Sequence, residues 1–323
     1  MILYYCRIGD ILHYYNIKIN EFPILLFHRV DDYYDPFTQP INRNNFIKII
    51  KMLKKKYTIL SLDKLMFKND LNKNYCSVVF DDAGLDFYNN AWPILTYYKI
   101  PTTLFIPTQN VDKLTLDWSM KFYDLILNSE VNHIKFKISN NLYPILLNES
   151  KHIKNIIKYH DTYIENSELP LGKTVNKYIN KSYKNKRIHF GVLSWDIIKE
   201  LSKQGLDIQS HCYGHKNLKL LNTDEIEYEL FTSYKSIQSS LGQKIYGVAY
   251  PYGKYNCKVV ELASKYYSFG FTSDNQLFRK IDLINNPLTI PRINITDSCP
   301  YELYLRLNKF HYHIQNFIDL IWN

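Results

Sequence analysis

Two adjacent carboxylates, Asp81 and Asp82, stand directly after the apolar run of residues 77–80, and Gly84 follows shortly after them. The β-branched and aromatic run is typical of a buried strand, in which successive side chains point to opposite faces. One carboxylate could therefore bind a metal while the other acts as a base. Acids at the mouth of an apolar strand are costly to bury unless they are paired or bound to a metal. A solvated acidic turn is the alternative that this stretch alone leaves open.

A pair of histidines, His211 and His215, follows another short apolar segment much later in the chain. If this segment is a turn or a helix, both imidazoles can face one point, as zinc-type metals require. Together with Asp82 they form a set of two histidines and one carboxylate, which leaves coordination positions open for water and substrate. A lone His-x-x-x-His is a weak signal. Its combination with the acidic pair and with the Pro-Tyr-Gly turn around Tyr252 predicts a catalytic metal site.

Short apolar segments that alternate with amphipathic helices must position these residues. Strands are predicted at residues 23–27, 58–60, 76–80, 102–106, 206–209, 247–249, 269–272 and 288–290. Helices are predicted at residues 43–56, 193–203 and 222–241, where Asn222 and Glu225 resemble a capping box. This alternation predicts an α/β fold with parallel strands. About seven strand–helix units form a distorted (β/α) barrel, whose active site lies at the carboxyl ends of the strands.

Two parts of the chain depart from this alternation. From about residue 109 to residue 190 the strand periodicity weakens, and this stretch is predicted to be a helical insertion. Residues 300–322 are predicted to form a closing helix that is rich in aromatic side chains. The insertion shows no sign of a core of its own, so residues 1–323 are expected to form a single domain.

Four motifs in order along the chain resemble those of a known family. They are Phe-Asp-Asp-Ala at 80–83, Asn-Ala-Trp-Pro-Ile-Leu at 90–95, Ser-His-Cys-Tyr-Gly-His at 210–215 and Ala-Tyr-Pro-Tyr-Gly at 249–253. The sequence resembles the metal-dependent polysaccharide deacetylases of the NodB-homology type (carbohydrate esterase family 4), over about residues 23–107 and 191–295. The resemblance implies a NodB-type barrel and a hydrolase that cleaves the N-acetyl amide of an amino sugar in glycan or lipopolysaccharide biosynthesis.

The resemblance also assigns roles to the site residues. Asp82, His211 and His215 would bind a divalent metal, with Zn²⁺ expected first and Co²⁺, Ni²⁺ or Fe²⁺ as alternatives. Asp81 would be the base that deprotonates the attacking water. The backbone N–H of Tyr252, together with the metal, would stabilise the tetrahedral oxyanion.

Two further roles concern the charge of the base and the leaving group. Arg292 is a candidate to pair with Asp81 and hold it ionised, and a strand-end ion pair is the alternative. The branch that resembles poly-N-acetylglucosamine deacetylases places a catalytic histidine after the first strand, which here is His28. His28 is therefore expected to be the general acid, with a histidine satisfied in a strand-end turn as the alternative. Aromatic side chains near the motifs are candidates for substrate binding: Tyr250, Tyr252 and Trp195.

The sequence departs from the family pattern at two places. Ala83 stands where the family has glycine, which would be strained if the position needs positive φ. The segment Ala249-Tyr250 replaces an Arg-Pro, which removes the arginine that usually contacts the base. Arg292 could compensate for that loss. Both departures raise the chance of a slow or inactive homologue.

Composition narrows the class of partner. The chain of 323 residues has a formal net charge of +9 and shows no nucleic-acid-binding motif, so no nucleic-acid partner is expected. The diffuse positive charge suits an anionic partner such as a nucleotide-linked sugar or an acidic membrane surface, with a solvated basic surface as the alternative. Five widely spaced cysteines without a Cys-x-x-Cys fit a reducing compartment.

The expected location follows from the absence of two signals. Residues 1–20 lack the pattern of a signal peptide, and no apolar stretch is long enough to span a membrane. The protein is therefore expected to be cytoplasmic, with membrane-peripheral attachment as the alternative, and its substrate to be nucleotide-linked or lipid-linked. A sugar deformylase on the same site and a non-catalytic glycan-binding homologue remain alternative functions. The sequence does not indicate the oligomeric state.

Overall fold

The computed structural model describes residues 21–33, 38–68, 74–127, 133–138, 141–146, 191–296 and 299–308. The strands in these ranges are Glu21–Phe22 (β1), Ile24–Phe27 (β2), Thr58–Ile59 (β3), Tyr75–Phe80 (β4), Thr102–Ile106 (β5), His133–Ile138 (β6), Asn141–Leu146 (β7), Asp207–Ser210 (β8), Gly247–Ala249 (β9), Phe269–Phe271 (β10), Phe278–Arg279 (β11) and Ile293–Asn294 (β12).

Seven parallel strands form the central sheet, in the order β10-β9-β8-β5-β4-β2-β12, and β3 pairs with β4. The segment after β11 contacts both edges of this sheet. Ile290 forms a parallel bridge with Phe271 of β10, and Ile293 pairs with Leu25 of β2. The sheet is therefore curled, and the predicted (β/α) barrel of the NodB type is confirmed.

Helices surround the sheet. They are Arg43–Lys56 (α1), Leu62–Phe67 (α2), Trp92–Tyr97 (α3), Thr108–Lys113 (α4), Trp118–Leu127 (α5), Trp195–Lys203 (α6), Thr223–Leu241 (α7), Cys257–Ala263 (α8), Asp282–Asn285 (α9) and Pro300–Leu307 (α10). Helix α7 begins with the predicted capping box of Asn222 and Glu225 and ends at Gly242, whose φ is 64°. Glycine adopts that left-handed conformation without steric cost, which explains the sharp helix end.

Alternating side chains of the parallel strands divide between two apolar clusters. In β4, Val78 and Phe80 pack in the larger cluster with the helices, whereas Val79 belongs to a smaller cluster with Phe105. The smaller cluster takes its members from the other face of the strands and so fills the inside of the curled sheet. Continued alternation directs Asp81 to the same side as Val79. The base candidate thus lies at the inner mouth of the barrel.

Two predicted elements differ from the structure, and a third is described only in part. The last strand lies at Ile293–Asn294 and not at residues 288–290, because pairing with β2 fixes its position. The predicted helical insertion contains two strands, because β6 and β7 pair in antiparallel over residues 133–138 and 141–146. The predicted closing helix begins at Pro300 and is described to Leu307, and residues 309–323 lie outside the described ranges, as do residues 147–190. The single-domain assignment stays a prediction.

None of the helices in the described ranges is long and apolar enough to cross a membrane.

Candidate metal centre and active site

Strand register brings the predicted site residues to one edge of the sheet. Phe27 pairs with Phe80 in adjacent parallel strands, so the next residues, His28 and Asp81, follow neighbouring strand ends. In the same way Ile106 pairs with Ser210, and the N–H of His211 donates to the carbonyl of Ile106 at 2.9 Å. The carboxyl ends of parallel strands share one side of the sheet, which places the acids and the first histidine together.

Asp82, His211 and His215 converge on one point. The Asp82 Oδ1 atom lies 3.4 Å from Nε2 of His211 and 3.3 Å from Nε2 of His215. Ligand atoms that sit about 2.0–2.1 Å from a tetrahedral zinc are about 3.4 Å from one another. The three ligand atoms lie within 4.8 Å of one another. The donor set and its spacing therefore fit a divalent metal.

An unsatisfied buried atom supports this fit. Asp82 Oδ1 is buried and makes no hydrogen bond with acceptable geometry, although both imidazoles are close to it. A buried carboxylate oxygen without a partner is costly, and a cation between the three side chains would satisfy it. The structure thus offers a cradle for a metal ion in which the carboxylate and the two imidazoles supply the ligands.

Left-handed backbone shapes both metal-binding segments. Asp82 and Ala83 have φ values of 77° and 56°, and Cys212 and His215 have values of 63° and 52°. Non-glycine residues in this region cost about 1–3 kcal/mol each and persist where the surrounding structure fixes them. The two histidines therefore sit on a tight turn and not on a helix. Ala83 does occupy the positive φ at which the family has glycine.

Charges in the site shift the pKa values of its ligands. Burial alone would raise the pKa of Asp82, but the imidazoles of His211 and His215 outweigh burial and hold this pKa well below its usual range. Burial lowers the pKa of His215, but the carboxylates of Asp117 and Asp82 outweigh burial and raise it to about 9. Because a metal ligand must be deprotonated, metal binding at neutral pH requires that His215 release a proton.

Asp81 is paired with Arg292, although its Oδ2 atom also lies 3.7 Å from Nε2 of the metal ligand His211. Nη1 and Nη2 of Arg292 donate to the two carboxylate oxygens of Asp81 at 2.7 and 2.9 Å. Nε of the same guanidinium donates to the carbonyl of Thr272 at 2.9 Å. Both charged side chains are buried, and the guanidinium lies 5.2 Å from the ring centre of Phe105. Burial raises the pKa of Asp81, but Arg292 and His211 outweigh it, so the pKa lies below the usual value. Asp81 is therefore ionised at neutral pH.

A cavity of about 380 Å³ opens beside these residues. Its lining includes His28, Arg29, Asp82, Asp86 and Asp117. Pockets that hold small ligands are about 300 Å³ or larger, so this cavity is large enough for a small molecule. His28 is half-buried and close enough to lower the pKa of both Asp81 and Asp82. His28 therefore lies near both acids and shares the cavity lining with Asp82.

Asp86, to which sequence reasoning assigned no role, holds the segment that follows His28. Its Oδ2 atom accepts a hydrogen bond from the N–H of Val30 at 2.9 Å, and the amide of Asn90 donates to the Val30 carbonyl at 2.9 Å. Arg29 lies 4.0 Å from the same carboxylate oxygen. Side chains from the turn after β4 therefore bond both backbone groups of Val30, which fixes the chain next to the candidate acid.

Replacing Asp86 by Asn is expected to change how stability depends on pH. Burial raises the pKa of Asp86 from 3.8 to about 6, which Arg29 and the N–H of Val30 oppose only partly. The folded state therefore holds this proton more tightly than the unfolded state. The resulting stabilisation is present below pH 4 and is lost as the pH rises through about 6, by up to about 3 kcal/mol for a shift of about two units.

The measurement is urea unfolding of wild-type protein and Asp86→Asn at pH 4, 5, 6 and 7. The free energy of unfolding of the wild type minus that of the variant should fall between pH 4 and 7. Parallel pH profiles would show that Asp86 titrates normally in the folded protein.

The aromatic substrate-binding candidates occupy three different environments. Tyr250 is fully buried and donates to the carbonyl of Leu288 at 2.9 Å, so the structure corrects its predicted role to one in the core. The indole N–H of Trp195 donates to Asp112 at 2.7 Å, and Trp195 is not part of the lining of the cavity described above. The ring of Tyr252 lies 4.7 Å from that of His215, beside the metal ligands. That the backbone N–H of Tyr252 stabilises the oxyanion stays a prediction.

Comparisons with known proteins agree with this geometry. A family model described as polysaccharide deacetylase matches residues 68–268. The poly-β-1,6-N-acetyl-D-glucosamine N-deacetylase of Staphylococcus epidermidis is 27% identical over 161 residues, which are 46% of this chain and 52% of that protein. The chain thus spans about half the length of the curated relative it matches.

Two solved structures share the fold. A deacetylase of Streptococcus pyogenes, PplD in complex with acetate, aligns with a TM-score of 0.60 at 19% identity over 89% of this chain and 98% of that one. IcaB from Ammonifex degensii aligns with a TM-score of 0.58 at 17% identity over 90% and 97% of the two chains. These likenesses concern the fold, whereas the match to the family model covers more than half of the sequence. This chain belongs to the polysaccharide deacetylase family.

Proposed function

We propose that this protein is a metal-dependent N-deacetylase that hydrolyses the N-acetyl amide of an amino sugar in a glycan or its precursor. The proposal rests on one observation: the two adjacent aspartates have different partners. Asp82 faces His211 and His215, and Asp81 is paired in two hydrogen bonds with the buried Arg292. A metal site with an ionised carboxylate beside it is the arrangement that amide hydrolysis by an activated water requires.

The chain's own residues would divide the proton transfers. A divalent metal, for which we propose Zn²⁺, would polarise the acetamide carbonyl and lower the pKa of the attacking water. Asp81 accepts a proton from that water while the water oxygen forms a bond to the carbonyl carbon. His28 donates a proton to the amide nitrogen as the carbon–nitrogen bond breaks, which leaves acetate and a free amine. The backbone N–H of Tyr252 is proposed to stabilise the oxyanion formed between these two steps.

The electrostatics support this division of labour. The Arg292 guanidinium holds the pKa of Asp81 below its usual value, despite burial, so the base is ionised. A base with a lowered pKa is intrinsically weak, and Asp81 could accept the proton because a bound metal would make the water more acidic. His28 lines the cavity next to Asp82, where a departing nitrogen would lie.

The carrier of the sugar is a finer proposal. A relative is named for an N-acetylated polysaccharide, whereas the net charge of +9 also suits a phosphate-bearing precursor. We propose a nucleotide-linked or lipid-linked N-acetylated amino sugar, handled in the cytoplasm or at the adjoining membrane surface. The cavity volume of about 380 Å³ accommodates one sugar ring more readily than several.

An acetate-release assay on a substrate panel tests this proposal. The panel contains N-acetylglucosamine oligomers, nucleotide-linked and polyprenyl-linked N-acetylated sugars, and N-formyl analogues, with Asp82→Ala as the inactive control. Acetate release by the metal-loaded protein from one class supports the proposal and assigns the carrier. Faster release of formate than acetate would support a sugar deformylase instead. Glycan binding without release of either acid would contradict the proposed activity.

Replacing His28 by Ala is expected to lower the turnover of the amide substrate by about 10²–10⁴-fold, because no group then protonates the departing nitrogen. Hydrolysis of 4-nitrophenyl acetate, whose leaving group needs no proton, should fall much less. Metal content should stay at the wild-type level. Equal losses on the amide and the ester would show that His28 is not the acid.

A further inference from the structure

We propose that Asp117 is a positioning residue of the metal site, whose carboxylate fixes the imidazole of His215 so that Nε2 faces Asp82. The inference rests on the metal site of the proposed function but not on which amide the protein hydrolyses. No sequence motif singled out Asp117, which stands between β5 and α5 at the start of the inserted segment.

The two nitrogens of His215 have separate acidic neighbours. Nδ1 lies 3.3 Å from Oδ2 of Asp117, and Nε2 lies 3.3 Å from Oδ1 of Asp82. The first distance is at the long end for a hydrogen bond, and the buried Nδ1 makes no hydrogen bond that meets geometric criteria with any described residue. Asp117 is therefore the acceptor available to this N–H. A small rotation of either side chain would complete the bond.

The other histidine of the site is held in the corresponding way. Nδ1 of His211 lies 2.8 Å from the carbonyl oxygen of Ala249, which can only accept. Nδ1 of His211 therefore carries a hydrogen, and Nε2 is the nitrogen that faces Asp82. Anchoring of Nδ1 thus aims both rings at the same carboxylate. A carboxylate anchor, unlike a carbonyl, also makes the imidazole a more basic ligand, so His215 would bind the metal more tightly than a carbonyl-anchored ring.

Asp117 caps helix α5, but this role alone does not explain why the residue is an aspartate. Its Oδ1 atom accepts a hydrogen bond from the N–H of Met120 at 2.8 Å in the first turn of α5. Serine or asparagine would serve as well for that purpose. Asp117 is only 8% exposed, and a buried carboxylate needs further donors. The second oxygen finds one in His215, so a single carboxylate begins the helix and orients the ligand.

A second contact from the same helix turn supports this assignment. The hydroxyls of Ser119 and Tyr252 lie 3.0 Å apart, and the ring of Tyr252 packs 4.7 Å from that of His215. The first turn of α5 therefore holds His215 from two directions. The start of the insertion is part of the metal site.

The test compares Zn²⁺ affinity in wild-type protein and Asp117→Asn by competition with a chromophoric chelator. Asparagine keeps an oxygen for the cap, but its NH₂ group faces Nδ1 and favours the tautomer that carries the proton on Nε2. The dissociation constant for Zn²⁺ should rise by about 10–100-fold. The visible absorption spectrum of the Co²⁺ form should change in position or intensity, and the metal-free variant should still unfold in one cooperative transition.

Two further variants separate positioning from folding. Asp117→Ser keeps a capping oxygen but is too short to reach His215, and it should lose a similar factor in Zn²⁺ affinity if Asp117→Asn does not fold. Asn222→Ala removes the cap of α7, which lowers the melting temperature and should leave Zn²⁺ affinity at the wild-type level.

Three outcomes decide the question. Weakened Zn²⁺ binding by both Asp117 variants, with normal binding by Asn222→Ala, is the expected result. Wild-type affinity and an unchanged Co²⁺ spectrum in Asp117→Asn or Asp117→Ser would overturn the positioning role and leave the metal site standing. Failure of the wild-type protein itself to bind Zn²⁺ or Co²⁺ would overturn the metal site and this inference with it.

Discussion

Replacing Asp81 by Asn is expected to lower the turnover number for amide hydrolysis by about 10²–10⁴-fold, the usual contribution of a general base. Asparagine keeps the shape of the side chain but cannot accept a proton from the attacking water. The three metal ligands are unchanged, so the variant should bind the same amount of metal as the wild type. The measurements are steady-state acetate release and metal content of the purified variant.

Stability must be measured alongside activity, because Asp81 also neutralises a buried charge. Asp282→Asn is a matched control, since Asp282 is buried and paired with an arginine, Arg279, whose side chain is 57% exposed. That variant loses an acid–arginine pair outside the site and should retain activity. A fully active Asp81→Asn protein would rule out Asp81 as the base.

Replacing Arg292 by Leu is expected to destabilise the folded protein by about 3–5 kcal/mol, because it leaves the carboxylate of Asp81 buried without its partner. Arg292 is 1% exposed and makes three hydrogen bonds, two to Asp81 and one to the carbonyl of Thr272. Lysine would not replace it well, since the planar guanidinium is required for the two parallel hydrogen bonds. Urea unfolding at pH 7 measures the loss.

A double variant separates charge from packing. In Asp81→Asn/Arg292→Leu both charges of the pair are absent, so the protein should be more stable than the single variant Arg292→Leu. If the double variant is instead less stable by the sum of the two single losses, the pair contributes through packing and not through charge. Activity should be low in all three proteins.

The sequence was sufficient for the parts of the site that follow strands directly. An apolar run that ends in acids or a histidine predicts both the strand and the polar residue at its end, as for Asp81 and His211. Parallel register then brings such ends together without further information. For this reason the barrel and the cluster of Asp82 with the two histidines could be predicted from spacing and residue type.

Residues that act through another residue could not be found in this way. Asp86 bonds to Val30, and Asp117 contacts His215, across long separations in sequence that no local pattern records. The sequence also did not show whether Tyr250 points into the core or toward the site. The strand before it has only three residues, which is too short for its alternation to decide. These features depend on tertiary packing.

Two predictions of secondary structure differ from the structure, for different reasons. Residues 288–290 and 293–294 are both suitable for a strand, and the pairing of Ile293 with Leu25 decides between them. Strand β6 did carry a local signal, because Ile134, Phe136 and Ile138 alternate with lysines. A count of period-two matches along the insertion would have identified its first strand.

The most direct test of the metal-dependent deacetylase is acetate release from the preferred substrate before and after removal of metal with a chelator. Activity should disappear in the stripped protein and return in proportion to the metal restored, up to one ion per chain, while Asp82→Ala stays inactive throughout. Wild-type activity in the stripped protein, or no acetate from any substrate of the panel by the fully loaded protein, would contradict the proposed chemistry.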